Sequence, residues 1–307
     1  PNIDVIHNRV AGEIMRGCSR GCRFCHAGFI NRPIRERSVE EILSIIETSL
    51  ENTGYEEIAL LSLSSSDYQH IDELIDKIGE KFKGRNLTIS LPSLRIDSFS
   101  IDLMEKLRGK RSGGFTLAPE AASDHMRNVI NKPISEESLI RTTTAIYKRG
   151  WSTIKLYFMI GQPFETKDDV IIIADLCNQV LRAGREAIGG RAKLNVSVST
   201  LIPKPHTPFQ WIAMNTPDEI REKQQWIREN LRYRAIKTSF SNPHESWLEG
   251  TLSRGDRRVG AVVETAWKLG ARFDAWRDQF RQDIWKQAFK EHQVNPSEYI
   301  YRERSME

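Results

Sequence analysis

Three of the chain's four cysteines, Cys18, Cys22 and Cys25, fall within eight residues in the stretch CSRGCRFC. Three crowded thiols cannot pair off among themselves, and a secreted disulfide scaffold carries many more cysteines in a shorter chain. Metal or cluster ligation is the chemistry that suits them. Three thiolates do not close a four-coordinate site. A structural zinc would need a fourth ligand nearby, for which His26 is available. Alternatively, three ligands leave one metal position open, as catalytic centres do. Cys177 keeps step with Val170, Ile173, Ala174, Val180 and Leu181, so it belongs to the apolar stripe of a helix and to core packing.

The elements that must position these thiols lie between residues 12 and 200. Short strand-like runs occur at 12–15, 57–63, 87–91, 114–117, 153–159 and 193–199. Helical patterns separate them, as in Val39, Ile42, Leu43, Ile46 and Leu50, or Ile71, Leu74, Ile75, Ile78 and Phe82. Ser38 with Glu41 and Thr166 with Asp169 have capping-box spacing. Alternation of this kind implies parallel strands joined by right-handed crossovers. Six units make a doubly wound sheet or an incomplete barrel, and both place ligand-handling residues just past the strands' C-terminal ends. Polar, Pro and Gly residues collect there: the cysteine loop, Ser64 to Asp67, Pro92, Ser93 and Arg95, Pro119 and Glu120, Gly161 to Pro163, and Pro203 to His206.

The chain has 307 residues, 28% charged and 39% hydrophobic, with 45 Lys plus Arg against 41 Asp plus Glu. At this length about 75% of the unfolded surface can be buried, so no disulfide or metal staple is needed merely to hold a core. A surplus of four charges falls short of the basic stripe that marks nucleic-acid proteins. No run reaches the ~18 apolar residues of a membrane span, and no signal peptide is evident, so a cytoplasmic protein without membrane association is expected. Residue 1 is Pro, which suggests a piece of something longer. After about residue 210 the composition shifts: six of seven tryptophans lie there, Thr216-Pro217 reads as a helix start, and Val259, Val262, Val263, Ala266 and Trp267 form an apolar face ended by Gly270. The expected division is a core at 1–210 and a small, mostly helical extension at 211–307. Its tryptophans read as core rather than as base-stacking platforms. Arg254, Asp256, Arg257 and Arg258 read as a surface turn first and a phosphate contact second.

The C-x-x-x-C-x-x-C spacing after the first strand of a (β/α)6 pattern resembles the radical S-adenosyl-L-methionine (radical SAM) superfamily. The phrases GCSRGCRFCHAGFINRPIRERS, LLSLSSSDY, SLPSLR, FTLAPEAAS, KLYFMIGQPFET, VSTLIPKPHTPFQW and RGDRR resemble, more narrowly, a bacterial family of cobalamin-binding-type radical SAM proteins of unassigned substrate. The resemblance covers nearly the whole chain and implies an α/β, partial (β/α)6 TIM-like barrel. It implies that Cys18, Cys22 and Cys25 hold three irons of a four-iron, four-sulfur (4Fe-4S) cluster and that SAM chelates the fourth. Reductive cleavage would then give a 5′-deoxyadenosyl radical that abstracts a substrate hydrogen. That family carries a cobalamin-binding-like domain before the barrel, so any cobalamin is expected on an upstream domain outside this chain.

Carried over by position, Phe24 falls beside the adenine, Ser65 and Asp67 where relatives receive SAM's amino group, Glu120 at the acid used on ribose or amine, and Gly161 where backbone approaches adenine. Each has a plainer role as well: loop packing for Phe24, helix capping for Ser65 and Asp67, a turn for Gly161. The Ser64–Asp67 wording departs from the family's Gly-Gly-Glu-like segment. Arg16, Arg20, Arg23, Arg32, Arg35 and Arg37 crowd the cluster loop, as SAM or substrate ligands or as a solvated basic face. Arg95, Lys204 and His206 are substrate-side candidates. The expected partners are a flavodoxin- or ferredoxin-like reductant and an unknown substrate, with RNA or protein suggested by the arginines. The alternative reading is a non-enzymatic iron-sulfur or zinc protein. Methylthiotransferases need three or more further cysteines for an auxiliary cluster, and only Cys177 remains in these residues.

Overall fold

The computed structural model describes residues 8–85, 87–91, 96 and 115–304. Nine strands are present among them: β1 (Val10–Glu13), β2 (Met15–Arg16), β3 (Arg35–Glu36), β4 (Glu57–Leu61), β5 (Thr88–Ser90), β6 (Phe115–Glu120), β7 (Thr153–Ile160), β8 (Lys193–Thr200) and β9 (Ile236–Phe240). Two parallel sheets result, ordered β1-β4-β5 and β6-β7-β8-β9, with a short antiparallel β2-β3 ribbon beside them. The long crossovers are helices α2 (Val39–Thr53), α3 (Ile71–Lys81), α5 (Glu136–Lys148) and α6 (Lys167–Ile188). Preceding α2 and α5 are α1 (His26–Ile30) and α4 (Asp124–Val129). This is the α/β architecture, with helices returning each strand parallel to the last, expected of a partial barrel.

Local sequence sets the helix starts as read. Ser38 and Glu41 form a reciprocal capping box on α2, Thr166 and Asp169 one on α6, and Thr216 with Glu219 one on α7 (Pro217–Asn230). The strand expected at 12–15 is interrupted: Val10–Glu13 pairs with β4, buried Ile14 donates its N–H to Leu61 O at 3.0 Å, and Met15–Arg16 turns to pair with β3. The fourth strand runs past Leu117 to Glu120. Its register shifts there to accommodate Pro119, which has no N–H to give the ladder. Pro92, Ser93 and Arg95 lie outside the described residues.

A seventh parallel strand joins the six expected ones. β9 pairs with β8 from Leu194–Ile236 to Val198–Phe240, and Ile220, Ile227 and Ile236 share the core of β6 to β8 with Leu156, Val170 and Val196. The segment expected to open a helical extension at residue 211 therefore first completes the sheet. A separate core then forms among α8 (Pro243–Arg254), α9 (Arg258–Lys268), α10 (Gln282–Glu291) and α11 (Pro296–Ile300), around Leu248, Val262, Trp285 and Ile300. Arg254 is not a surface residue: it is buried, and its guanidinium donates to Ile212 O at 2.7 Å and Gln210 O at 3.1 Å. Asp256 and Arg258 do form an exposed turn, paired at 2.7 Å, which holds the Asp256 carboxyl well below the usual range. Among the described residues no helix is long and apolar enough to cross a membrane.

Candidate active site

The cysteine loop leaves β2 through Gly17, whose φ of +91° is in the left-handed region. A Cβ there would lie 2.7 Å from Asn31 O and 2.8 Å from Pro33 O, so only glycine fits. Cys25 caps α1, accepting at Sγ from the Gly28 N–H at 3.3 Å, and its own N–H donates to Cys22 O at 3.0 Å. The three loop thiols are half-buried, and none of the four cysteines is in a disulfide. Cys177 is fully buried on α6, and burial pushes its thiol pKa up, as its helical stripe implied.

Polar side chains lock this loop onto its neighbours. Arg23 donates its N–H to Ile130 O at 2.9 Å and its guanidinium to Asn128 O at 2.9 Å and Val129 O at 2.6 Å, closing the end of α4. Asn131 returns the contact, donating to Gly21 O at 3.0 Å and Arg20 O at 3.3 Å. On the other side Arg20 forks onto Asp67, with Nε 2.8 Å from Oδ2 and Nη2 on Oδ1, while the Ser64 hydroxyl donates to Asp67 at 2.6 Å. Ser65 is fully buried, its hydroxyl donating to Leu60 O at 3.3 Å and accepting from Ser62. Phe24 packs on Ala121, Met126, Ile130, Met159, Leu201 and Phe209.

Glu120 ends β6 with φ +67° and meets Lys132 at 3.2 Å. Burial pushes its carboxyl up, against the pull of Lys132. Its carbonyl accepts from Gln162 Nε2 at 3.4 Å, which also donates to Met159 O at 2.7 Å. Gln162 Oε1 is buried with no hydrogen-bond partner. Gly161, φ +82°, donates its N–H to Glu165 Oε2 at 2.8 Å, and Lys223 from α7 binds the same oxygen at 2.6 Å. Burial raises the Glu165 pKa despite that lysine. Gln162 falls in the rim segment 161–163 that the sequence marks, whereas Glu165 and Lys223 carry no such mark. The usable signal was the carboxylate four residues after a rim glycine, in GQPFE.

The other candidates disperse. Arg16 pairs with Glu13 at 2.8 Å, Arg32 lies over Phe29 at 4.7 Å, and Arg35 donates to Asn31 O at 3.4 Å. Lys204 pairs with Glu249 of α8 at 2.6 Å. His206 comes within 6.2 Å of His26, ring centre to ring centre, at the cluster loop. A cleft of about 380 Å³ opens beside Gly17, lined by Glu13, Met15, Arg16, Asn31, Leu61, Ser62 and Leu63 at the ends of β1 and β4. Among the described residues no three His, Cys, Asp or Glu side chains converge on one point where a single ion could sit. A cluster holds each thiolate on a different iron and does not require that convergence. Soft thiolate donors on one loop fit iron-sulfur ligation. The orphaned Gln162 acceptor at the rim fits a ligand that brings N–H donors.

A family model described as the Radical SAM superfamily matches residues 13–177, more than half of the chain. The chain belongs to the Radical SAM superfamily. Superfamily membership supports an enzyme. An uncharacterized protein of Methanocaldococcus jannaschii is 32% identical over 252 residues, covering 82% of this chain and 53% of its own. The ribosomal protein uS12 methylthiotransferase RimO of Petrotoga mobilis is 27% identical over 177 residues, 55% of this chain and 40% of that protein. This radical SAM chain thus spans about half the length of the curated relatives it matches. In fold it resembles the radical S-adenosylmethionine methyltransferase TsrM of Kitasatospora setae, solved with cobalamin and a 4Fe-4S cluster. The TM-score is 0.57 at 12% identity, over 92% of this chain and 61% of that one.

Proposed function

We propose that Cys18, Cys22 and Cys25 hold a 4Fe-4S cluster and that the enzyme binds SAM against it, in the mouth formed by the ends of β1, β4, β6 and β7. The observation that carries this reading is the cluster loop itself: three half-buried thiols on one glycine-shaped turn, anchored on both flanking rim loops. When bound and reduced by a flavodoxin- or ferredoxin-like donor, the cluster would supply the electron that cleaves SAM to methionine and a 5′-deoxyadenosyl radical, which takes a substrate hydrogen.

The chain's own residues bind and orient. Phe24 offers an apolar face beside the third thiol and Gln162 Oε1 an acceptor for a SAM N–H, while Gly161, whose Cβ side is closed by Ile220 at 3.1 Å and Asn215 at 3.2 Å, shapes the rim turn. Glu120, with its pKa raised and Lys132 beside it, is placed to meet hydroxyls or an ammonium. Asp67 already forks onto Arg20, so in this reading it positions the cluster loop. Ser65, fully buried, shapes the same turn and leaves SAM's amine to others. No residue of this chain is assigned to cobalamin, and Cys177, the fourth cysteine of these 307 residues, is core, so no auxiliary cluster is assigned either.

Anaerobic reconstitution with iron and sulfide, followed by dithionite and SAM, tests the reading. Close to four irons per chain and reductive formation of 5′-deoxyadenosine are expected. A fully loaded chain that binds no SAM and leaves it intact would refute it.

A further inference from the structure

The end of α9 and the loop after it carry an exposed row of aromatic and guanidinium groups, far along the chain from the rim loops. Trp267, Phe273 and Trp276 are 56%, 72% and 65% exposed, contrary to the expectation that the C-terminal tryptophans are core. The groups form two contacting pairs joined by the Arg272–Phe273 peptide bond. Arg272 lies over the Trp267 ring at 4.7 Å and donates to Trp267 O at 2.6 Å, and the Phe273 and Trp276 rings are 5.9 Å apart. The loop that presents them is tied down. Asp274 accepts from the buried Trp285 indole at 3.0 Å, Ala271 N–H donates to Ala266 O at 2.9 Å, and Arg277 donates to Phe240 O at 2.5 Å. Rings held outward on an anchored loop need little further ordering to bind.

Charge selects the partner. Residues 256–291 contain eight Lys or Arg and six Asp or Glu, a net of +2. All eight cations are exposed, and three of them, Arg258, Lys268 and Arg281, pair with Asp256, Glu264 and Asp283. An apolar protein surface would use the rings and leave the cations idle, and a duplex would use the cations but keep its base faces stacked inside. Aromatic faces interleaved with cations suit unpaired bases on a phosphate backbone. We propose that this face binds single-stranded nucleic acid, with bases stacked on Trp267, Phe273 and Trp276 and phosphates met by Arg272 and Arg277.

The test uses the full chain and fluorescein-labelled strands of about 12 nucleotides, RNA and DNA, with the matching duplex, by anisotropy between about 50 and 200 mM salt. Single strands should bind, quench tryptophan emission and weaken with salt. Trp267→Ala/Phe273→Ala/Trp276→Ala should lose at least about tenfold in affinity. Arg272→Ala/Arg277→Ala should reduce the log-log salt slope by about 0.7 per cation removed. If the triple variant unfolds, Trp276→Ala against Trp276→Phe decides, because only the latter keeps a stacking ring. No binding at low salt, a duplex bound as tightly as a strand, or an acidic peptide of equal charge competing equally well would each overturn the proposal. The RNA and DNA arms distinguish which backbone is preferred.

Discussion

Replacing Gly17 by Ala should damage the cluster loop in a way that the same change at Gly54 does not. Both glycines have left-handed backbone, φ +91° and +68°. At Gly54, the C-cap of α2, a Cβ would meet nothing within 4 Å, so the substitution incurs only the left-handed penalty of ~1–2 kcal/mol, partly offset by the stiffer unfolded chain. The net loss is about 1 kcal/mol. At Gly17 the new methyl would stand 2.7 and 2.8 Å from two backbone carbonyl oxygens, which cannot rotate away. Backbone displacement adds roughly 1–3 kcal/mol, giving about 3 kcal/mol in all. Urea unfolding with an m-value of about 3 kcal/mol/M would separate the two variants by roughly 0.7 M in midpoint. If the strain is relieved by the loop opening locally, reconstituted iron falls instead while the global midpoint stays put. Gly17→Ala with both the midpoint and the iron content of Gly54→Ala would refute the reasoning.

Replacing Cys18, Cys22 or Cys25 by Ala should abolish the visible absorbance of the reconstituted cluster while leaving circular dichroism at the parental level. Cys177→Ala should instead keep the iron and lose about 1–2 kcal/mol, since its thiol is wholly enclosed; iron loss there would contradict its core role. A double-mutant cycle of Arg20→Ala and Asp67→Asn should give about 1 kcal/mol of coupling, modest because the pair is partly solvated; zero coupling would mean that the fork does not order the loop. Glu165 has a folded pKa raised by burial, so the stability it lends is full below its unfolded pKa near ~4.3 and is lost as pH rises through the folded value. Glu165→Gln, which keeps an acceptor for Gly161, should remove that fall from the stability-pH curve, and an unchanged slope would count against a raised pKa.

Much of the barrel was legible because its signals are local. Capping boxes at Ser38 and Thr166 and apolar spacing along α2 and α3 are decided within a few turns of chain. β9 was missed because IKTSF is short, only Ile236 in it is buried, and it lies among helical patterns; its pairing with β8 is a tertiary choice. At the site, the thiols and Gly161 could be read from spacing and from turn chemistry. The Glu165–Lys223 pair could not, because its members are 58 residues apart and meet only after α7 packs on the sheet. Trp267 extends the stripe of Val259, Val262 and Ala266 in the sequence, yet it is the last residue but one of α9 and is more than half exposed.

The arginines around the cysteines illustrate how an exposed loop becomes ordered at all. A loop that must leave thiols accessible cannot bury much apolar surface, so its backbone carbonyls need other partners. Asn131 donates to Arg20 O and Gly21 O of the loop, Arg23 in turn reaches Asn128 O and Val129 O of α4, Arg32 takes Gly28 O at 3.2 Å, Arg35 takes Asn31 O, and Arg20 crosses to the Asp67 carboxylate. Guanidinium groups suit this work because one planar fork serves several acceptors at fixed angles. Their charge density near the cysteines is thus largely committed to holding the loop, and it gives weak grounds for expecting an anionic macromolecule at the barrel mouth. The cations of residues 257–290 are also partly committed, Arg258, Lys268 and Arg281 to carboxylates and Arg272 and Arg277 to backbone carbonyls, but each stays exposed and lies near the exposed rings of Trp267, Phe273 and Trp276 in the chain. The arginines of the cysteine loop therefore serve the loop's order first, and the proposed polyanion contact is placed on the separate face that carries Trp267, Phe273 and Trp276.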